Sequence, residues 1–216
     1  MQVCAIMPCR GRAEQTVVNV KRLLATAGDI DWQLILVAGG EQEVFAALAP
    51  LRSEQVQFLT FNGRMTYWQA LTAATRTTDA PLLCNLANDL IPGHRWLERG
   101  VQAFHKRFGD GPGLLGFNDG HHTSGHSCHF LISRDLLARY GGWPVWYDHA
   151  FGDTELCQRA MADRLYAKAP WATLFHDHPY FGGADDAVYV EGRAQAGQDQ
   201  ALFEQRRGQG WPATNR

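Results

Sequence analysis

The fold class is decided by one stretch of sequence, Leu82-Leu83-Cys84-Asn85-Leu86-Ala87-Asn88-Asp89-Leu90-Ile91-Pro92. It begins as an apolar run of strand length, becomes polar at Asn88 and Asp89, and passes through a Pro-Gly turn into a helical pattern from Arg95. A carboxylate at the carboxyl end of a buried strand lies where open α/β sheets bind their ligands. An aspartate there can also hold a divalent cation against phosphate oxygens. Read by itself, Asn-Asp before Pro-Gly is equally an ordinary strand-to-turn signal.

Composition and charge narrow the classes of function. With 216 residues, of which 45% are apolar and 19% charged, the chain is long enough for one domain with a substantial core. The net charge of −2 gives no basic footprint for nucleic acid, and no apolar run approaches the roughly 18 residues of a membrane span. The first residues predict a strand and not a signal peptide.

The five cysteines are scattered and form no CxxC pair, so they indicate neither a zinc ribbon nor a disulfide framework. Cys4, Cys84 and Cys157 lie in apolar contexts that predict small core residues. This use of cysteine favours a reducing, cytoplasmic location.

Hydrophobic periodicity predicts alternating strands and helices in the first part of the chain. The predicted strands are 3–7, 32–38, 56–61 and 81–86, and the predicted helices are 15–26, 41–51 and 66–75. This order predicts parallel strands covered by helices. Beyond residue 86 the pattern predicts the helices 96–108, 135–140 and 153–163 and the strands 113–117, 129–133 and 172–175. It also predicts a polar loop at 118–126 and a terminal helix at 192–208, which would pack through Leu202 and Phe203.

We therefore expect one domain over residues 1–216. It divides into a nucleotide-binding half at 1–92, an acceptor-binding and catalytic half at 93–180, and a C-terminal tail or helix at 181–216.

At residues 3–12, 86–97, 129–143 and 151–160 the chain resembles family-2 glycosyltransferases of the GT-A fold. Residues 129–143 (HFLISRDLLARYGGW) are similar to the family's strand, arginine, leucine-rich turn and Gly-Gly-aromatic sequence. Residues 151–160 (FGDTELCQRA) are similar to its Glu-Asp-x-Asp-Leu-Cys-x-Arg-Ala helix. Residues 3–8 with Arg10 and Arg12 resemble its first strand and turn, and residues 86–92 with Trp96 and Leu97 resemble its Asp-x-Asp strand end.

The resemblance implies an α/β fold of the GT-A (Rossmann-like) type. Its mostly parallel sheet is flanked by helices, and the acceptor-side half is irregular. The implied activity is metal-dependent transfer of a sugar from a nucleotide-sugar donor to an acceptor hydroxyl, with inversion and with Mn²⁺ or Mg²⁺ as the cofactor.

The resemblance also implies roles for single residues. The nucleotide-sugar site would contain Pro8, Arg10, Arg12, Asn88 and Asp89. Asp89 would bind the metal together with His176 or His178; because a His-x-His pair on a strand points to opposite faces, we expect only one of the two rings to bind. Asp153 would be the catalytic base, with Glu155 at the family's following acidic position. An N-terminal helix cap is the alternative role for Asp153.

The acceptor side is less constrained. Asn118 and Asp119, with the aromatic residues Trp143 and Trp146, would suit a sugar or a flipped base, although core packing is an equal alternative for each aromatic ring. The histidines at 121, 122, 126 and 129 lack the fixed spacing of a zinc site and favour a flexible acceptor loop.

Three family positions differ in this chain. The first aspartate of the metal motif falls on Ala87, and the glutamate before the catalytic aspartate falls on Gly152. The end of the second predicted strand, 37–40, also lacks the family's aspartate near the base.

The acceptor is either a glycan or a hydroxymethylated base in DNA, the latter as in phage-type enzymes, which would place the protein in the host cytoplasm. The differences at Ala87 and Gly152 leave an inactive nucleotide-binding or scaffold domain as an alternative function. A metal-dependent hydrolase built on the histidines is a third function class.

Overall fold

The computed structural model describes residues 1–40, 42–122, 125–179, 182–183 and 185–212. Glu41, the first residue of the predicted helix 41–51, lies outside these ranges, as do Thr123 and Ser124 of the predicted loop. So do residues 180, 181, 184 and 213–216 of the predicted third segment and its border.

Across the described residues the strands form one eight-stranded sheet in the order β3-β2-β1-β4-β7-β6-β8-β5. The strands are β1 (Val3–Cys9), β2 (Trp32–Gly39), β3 (Val56–Phe61), β4 (Leu82–Asn85), β5 (Leu90–Pro92), β6 (Leu114–Asn118), β7 (Phe130–Ser133) and β8 (Tyr166–His176). The first four strands are parallel to one another, and β6 is parallel to β8. β7 is antiparallel to both its neighbours, and β5 is antiparallel to β8.

Helices connect and cover these strands. They are α1 (Ala13–Thr26), α2 (Gln42–Leu48), α3 (Tyr67–Thr75), α4 (Trp96–Phe108), α5 (Arg134–Arg139), α6 (Gly152–Ala162) and α7 (Ala187–Gly208), and a 3₁₀ turn at Ala49–Leu51 follows α2. α3 begins where Thr66 accepts a hydrogen bond from the Gln69 N–H, and the Gln69 side chain accepts from the Thr66 N–H in return. This reciprocal cap fixes the start of α3 beside the site described below.

The sheet is buried on both faces. Val3, Ala5 and Met7 of β1 enter one apolar cluster, while Cys4 and Ile6 enter the other, as the twofold alternation of a strand requires. A parallel strand covered by helices on both sides is apolar throughout, which is why 3–7 and 32–38 could be recognised in the sequence. Cys4, Cys84 and Cys157 are all fully buried, as predicted.

The structure changes the predicted elements mainly at the edges of the site. β5 follows directly after Asp89 and was not predicted, and β8 begins before the predicted strand 172–175. α7 begins at Ala187, ahead of the predicted start at 192, and it packs through buried Phe203 and half-buried Leu202 as expected. None of the helices in the described part of the chain has the length and hydropathy needed to cross a membrane.

Candidate active site

A cavity of about 730 Å³ opens at the carboxyl ends of β1, β4 and β8, and α7 lies along one side of it. This volume is within the range of small-molecule sites. Eight residues that the sequence predicted for the site line this cavity: Pro8, Arg10, Arg12, Asn88, Asp89, Asp153, His176 and His178. The carboxyl edge of the parallel strands is therefore the candidate functional edge, at the position of Asp89.

Sheet register brings Asp89 and His176 together. Leu90 of β5 lies opposite His176 of β8 in the antiparallel ladder, and the Asp177 N–H donates to the Asp89 carbonyl at 3.0 Å. Asp89 Oδ1 lies 3.4 Å from His176 Nε2. This is an ion-pair distance, but Oδ1 is buried without a hydrogen-bond partner among the described residues.

The other oxygen of Asp89 is strongly bound. Oδ2 accepts from the Tyr189 hydroxyl and lies 3.2 Å from Arg12 Nη1. Burial opposes ionisation of this carboxyl, but His176, Tyr189 and Arg12 hold its pKa well below the ordinary value. Asp89 is therefore an anion whose Oδ1 remains available to a cation.

Three histidines surround Asp89. The rings of His129 and His176 lie with centroids 5.0 Å apart, and those of His176 and His178 lie 5.1 Å apart. Burial opposes protonation of His176, but its contacts with Asp89 and Cys128 raise its pKa to about 10. Burial and the charge of His176 lower the pKa of His129 to about 3 and that of His178 to about 4.

His176 and His178 both line the cavity, which differs from the expectation that their rings face opposite ways. The reason is that β8 ends at His176, so strand alternation does not extend to His178.

His129 is a site residue that the sequence did not identify as a ligand. Its Nδ1 lies 3.3 Å from the Asn85 carbonyl oxygen, which can only accept, so Nδ1 carries the proton. Nε2 then presents a lone pair and has no hydrogen-bond partner in the described residues. A backbone carbonyl that fixes the tautomer in this way is typical of metal-binding histidines.

The predicted phosphate-binding residues are held by other side chains in the structure. Arg12 is in the left-handed region at φ 51° and donates to Asp186 Oδ1 at 3.0 Å, while its guanidinium stacks 4.0 Å from the ring of Tyr189. Arg10 forms an ion pair with Glu191. The Asn88 amide donates to the Arg10 carbonyl at 3.2 Å, which ties the segment before Asp89 to β1.

Asp153 lies in the first turn of α6, after Phe151 in a left-handed conformation. Its Oδ1 accepts from the Thr154 N–H at 2.8 Å, and its Oδ2 lies 3.5 Å from His126 Nε2. Burial would raise the pKa of Asp153, but the His126 charge and the Thr154 N–H lower it to about 2. The side chain is an ionised carboxylate that faces the cavity.

Gly152, which replaces the family's glutamate, is required by packing. A Cβ atom there would lie 2.4 Å from carbons of the Trp68 indole and 2.6 Å from Pro144. Trp68 occupies the space that a larger side chain would need, and it lines the cavity itself.

Glu155 does not lie in the cavity with Asp153. Its carboxylate is fully buried and accepts from Arg206 Nε and Nη2, each at 2.9 Å, and from the Tyr147 hydroxyl at 2.8 Å. Two residues along a helix are about 200° apart, so the side chain points away from the site. This placement contradicts a catalytic role for Glu155 and makes it the anchor of α7.

The four residues predicted for the acceptor side also lie outside the cavity lining. Trp143 is 3% exposed, and its Nε1 donates to Thr75 at 2.8 Å, so it belongs to the core. Trp146 donates to Glu155 at 3.2 Å. Asn118 donates to the Pro170 carbonyl at 2.8 Å, and buried Asp119 accepts from the His121 and His122 N–H groups. These side chains hold the loop and the core instead of facing a ligand.

α7 supplies residues that sequence reasoning missed. Tyr189, Glu191 and Gly192 face the cavity, and Asp186 caps the helix while it binds Arg12. Buried Asp199 accepts from three successive backbone N–H groups of residues 148–150 at 2.8–3.0 Å. Asp185 and Asp186, directly before α7, are residues that favour a helix N-cap, and this signal could have located the start of the helix. Nothing in the sequence shows which face of α7 meets the sheet.

Comparison with known proteins shows the fold. No protein-family model and no curated protein matches the sequence. Among solved structures, the chain is similar to the mannosyltransferase PcManGT from Pyrobaculum calidifontis in complex with GDP-Man and Mn²⁺, with a TM-score of 0.73, 14% identity, and coverage of 99% of this chain and 66% of that one. It is also similar to residues 1–349 of S. aureus TarS, with a TM-score of 0.61, 10% identity, and coverage of 81% of this chain and 59% of that one.

The chain therefore spans less than two thirds of either structure. At these identities the likeness shows the fold alone, and the predicted Rossmann-like glycosyltransferase fold is confirmed.

Proposed function

We propose that this protein is a metal-dependent glycosyltransferase that uses a nucleotide-sugar donor. The observation that carries the proposal is the pairing, in one cavity, of Asp89 with an unpartnered carboxylate oxygen and Asp153 as a second ionised carboxylate. Both lie on the functional edge of a sheet whose solved structural neighbours include a mannosyltransferase bound to GDP-Man and Mn²⁺.

The donor end of the cavity is formed by β1, β2 and the start of α3. Pro8, Val37, Gly39 and Tyr67 line it, and no acidic side chain is among these residues. The base is therefore recognised through backbone groups and apolar contact. Arg10 and Arg12, on the turn after β1, would meet the diphosphate by exchanging Glu191 and Asp186 for phosphate oxygens, which arginine binds in a bidentate manner.

A divalent cation would bind beside Asp89, where the buried Asp89 Oδ1 and His129 Nε2 have no hydrogen-bond partner in the described residues. Asp89 Oδ1, His129 Nε2 and His176 would hold it, and when bound it neutralises the charge that develops on the leaving diphosphate. Carboxylate with imidazole favours Mn²⁺ over Mg²⁺, which takes oxygen ligands. Because binding requires a neutral imidazole, His176 would have to give up its proton to hold the metal.

Asp153 acts as the base for the acceptor hydroxyl. Its lowered pKa keeps it ionised at neutral pH, and its position in the first turn of α6 fixes its direction. Direct attack on the anomeric carbon, with the nucleoside diphosphate leaving from the opposite face, inverts the configuration. The acceptor is a glycan hydroxyl or the hydroxymethyl group of a modified base in DNA, and parallel assays with the two substrates decide between them.

The first test is a thermal-shift panel of UDP, GDP, CDP, ADP and TDP, each with and without Mn²⁺. A nucleotide at about 100 times its dissociation constant stabilises the folded state by roughly 2.7 kcal/mol, or about 5–10 °C at this chain length. We expect one nucleotide to give such a shift only with Mn²⁺. Asp89→Asn should remove the Mn²⁺-dependent part, whereas Asp110→Asn, at a fully exposed carboxylate, should retain it. A panel without any shift would refute the metal-dependent proposal.

A further inference from the structure

A second group of metal-binding side chains lies on the same wall of the cavity as Asp153. His122, His126 and Cys128 each offer one ligand atom, and these three atoms lie within 4.8 Å of one another. Elsewhere in the described ranges no His, Cys, Asp or Glu group is gathered this closely. We infer that these three residues form a site for a soft divalent cation, Zn²⁺ above all. This site borders the Asp89 site, because Cys128 contacts His176.

The separation of two of the ligand atoms matches zinc coordination. His126 Nε2 lies 3.6 Å from Cys128 Sγ. Tetrahedral Zn²⁺ with ordinary Zn–N and Zn–S bond lengths separates a nitrogen and a sulfur ligand by about 3.6 Å. One thiolate with two imidazoles is a set that Zn²⁺ prefers and that Mg²⁺ does not. The histidine spacing lacks a zinc motif, but the fold supplies the geometry that the spacing does not.

The surrounding residues hold the ligands in place. His122 Nδ1 lies 2.8 Å from Asp119 Oδ2, and Asp119 is 2% exposed. With Nδ1 engaged by Asp119, Nε2 is the nitrogen with which His122 would bind a metal, in the manner of a metal-binding histidine that has a carboxylate partner. Lys168 donates to the carbonyl oxygens of both His122 and His126, which ties the two ends of the loop together.

The charge balance is compatible with a dication. Asp153 Oδ2 lies 3.5 Å from His126 Nε2, so one carboxylate borders the group and a second, Asp119, lies behind His122. These two anions offset the ammonium of Lys168 nearby. A metal here would take His126 Nε2 away from Asp153, and a water molecule would complete the coordination.

Cobalt(II) tests the site directly, because a cobalt–thiolate bond gives a near-ultraviolet charge-transfer band. Metal-depleted protein titrated with Co²⁺ should show one saturating equivalent with this band, and Zn²⁺ should displace it. Cys128→Ser should abolish the band, while the matched control Cys9→Ser, at a buried cysteine of β1, should keep it. Asp119→Asn should weaken Co²⁺ binding about 10- to 100-fold.

A second measurement uses the unmodified chain. Cys128 is the partly exposed cysteine and the other four are buried, so an alkylating reagent should label Cys128 first. Zn²⁺ should protect it, as peptide mass spectrometry would show. Co²⁺ binding without a thiolate band, or labelling that Zn²⁺ does not slow, overturns the inference. Asp89→Asn should leave the band intact, so failure of this site and failure of the proposed transferase activity are separate results.

Discussion

Replacing Glu155 by leucine should destabilise the protein severely without acting on the chemistry. Glu155 is fully buried and Arg206 is 3% exposed, and two 2.9 Å hydrogen bonds join them. Glu155→Leu leaves the Arg206 guanidinium buried beside the Pro212 carbonyl, the Tyr147 hydroxyl and the Trp146 ring. It also removes the 3.2 Å contact of Glu155 with Arg159, whose guanidinium keeps the Tyr140 carbonyl as an acceptor. Breaking a buried ion pair by removing one partner costs about 3–5 kcal/mol. At about 2–4 °C per kcal/mol for this size, the melting temperature should fall by roughly 6–20 °C.

The double variant Glu155→Leu with Arg206→Met is the control, because replacing a buried pair by apolar side chains is often neutral. We expect it to recover most of the lost stability in urea unfolding. Its turnover should stay within tenfold of the parent, whereas loss of a general base lowers turnover by about 10²–10⁴. A folded double variant that has lost more than a hundredfold in turnover would refute the structural assignment of Glu155.

The contribution of Glu155 to the free energy of unfolding should depend on pH in a defined direction. Burial opposes ionisation of Glu155, but Arg206 and Tyr147 hold its pKa in the folded state below the ordinary value of 4.5. Its contribution to stability is therefore fully present when the pH is above the pKa of the unfolded state. The contribution is lost as the pH falls through the lower pKa of the folded state. The stability difference between the parent and Glu155→Leu should shrink on acidification.

Three further substitutions test the cavity. Asp153→Asn should lower kcat by about 10²–10⁴-fold, while the dissociation constant of the nucleotide, measured by calorimetry, should not change. An undiminished kcat would exclude Asp153 as the base. Tyr189→Phe removes a hydrogen bond to the charged Asp89 and should cost about 1.5–3 kcal/mol in urea unfolding; an unchanged midpoint would contradict that contact. Gly152→Ala places a methyl group 2.4 Å from an indole carbon and should cost about 1–3 kcal/mol. The matched Gly197→Ala, where nothing lies within 4 Å of the added carbon, should be neutral or slightly stabilising, and equal losses in the two variants would contradict the packing argument.

The predicted residues that line the cavity are those with a local signal in the sequence. Asp89 follows an apolar strand, and Asp153 begins a helix, so their positions on the sheet edge could be predicted from neighbouring residues. The contact between Asp89 and His176 depends on the register of β5 with β8. β5 has three residues, which is too short for its pattern to be seen, and so that pairing could not be predicted.

Trp143 and Trp146, predicted for the acceptor side, lie outside the cavity lining for a common physical reason. Trp143 and Trp146 are large amphipathic side chains, and such residues serve cores and ligand sites alike. Only the structure shows that the Trp143 indole N–H is satisfied by Thr75 and that the Trp146 ring stacks on Arg206. The sequence did not single out His129 as a candidate metal ligand. Its ring orientation is set by the Asn85 carbonyl on a neighbouring strand, and this contact depends on the fold.

The replacement of the family's first aspartate by Ala87 bears on the alternative of an inactive nucleotide-binding scaffold. With Asp89 as the carboxylate and neutral imidazoles as its partners, the proposed metal site carries little negative charge of its own, so the metal depends on the diphosphate for much of its binding energy. Linkage then requires that the nucleotide depend equally on the metal. A scaffold that has lost the metal would bind nucleotide through the apolar end of the cavity and through Arg10 and Arg12, with equal affinity in the presence and absence of Mn²⁺. The informative quantity in the thermal-shift panel is therefore the difference between the shift with Mn²⁺ and the shift without it. A large difference indicates an enzyme with a reduced metal motif, and no difference indicates an inactive nucleotide-binding domain.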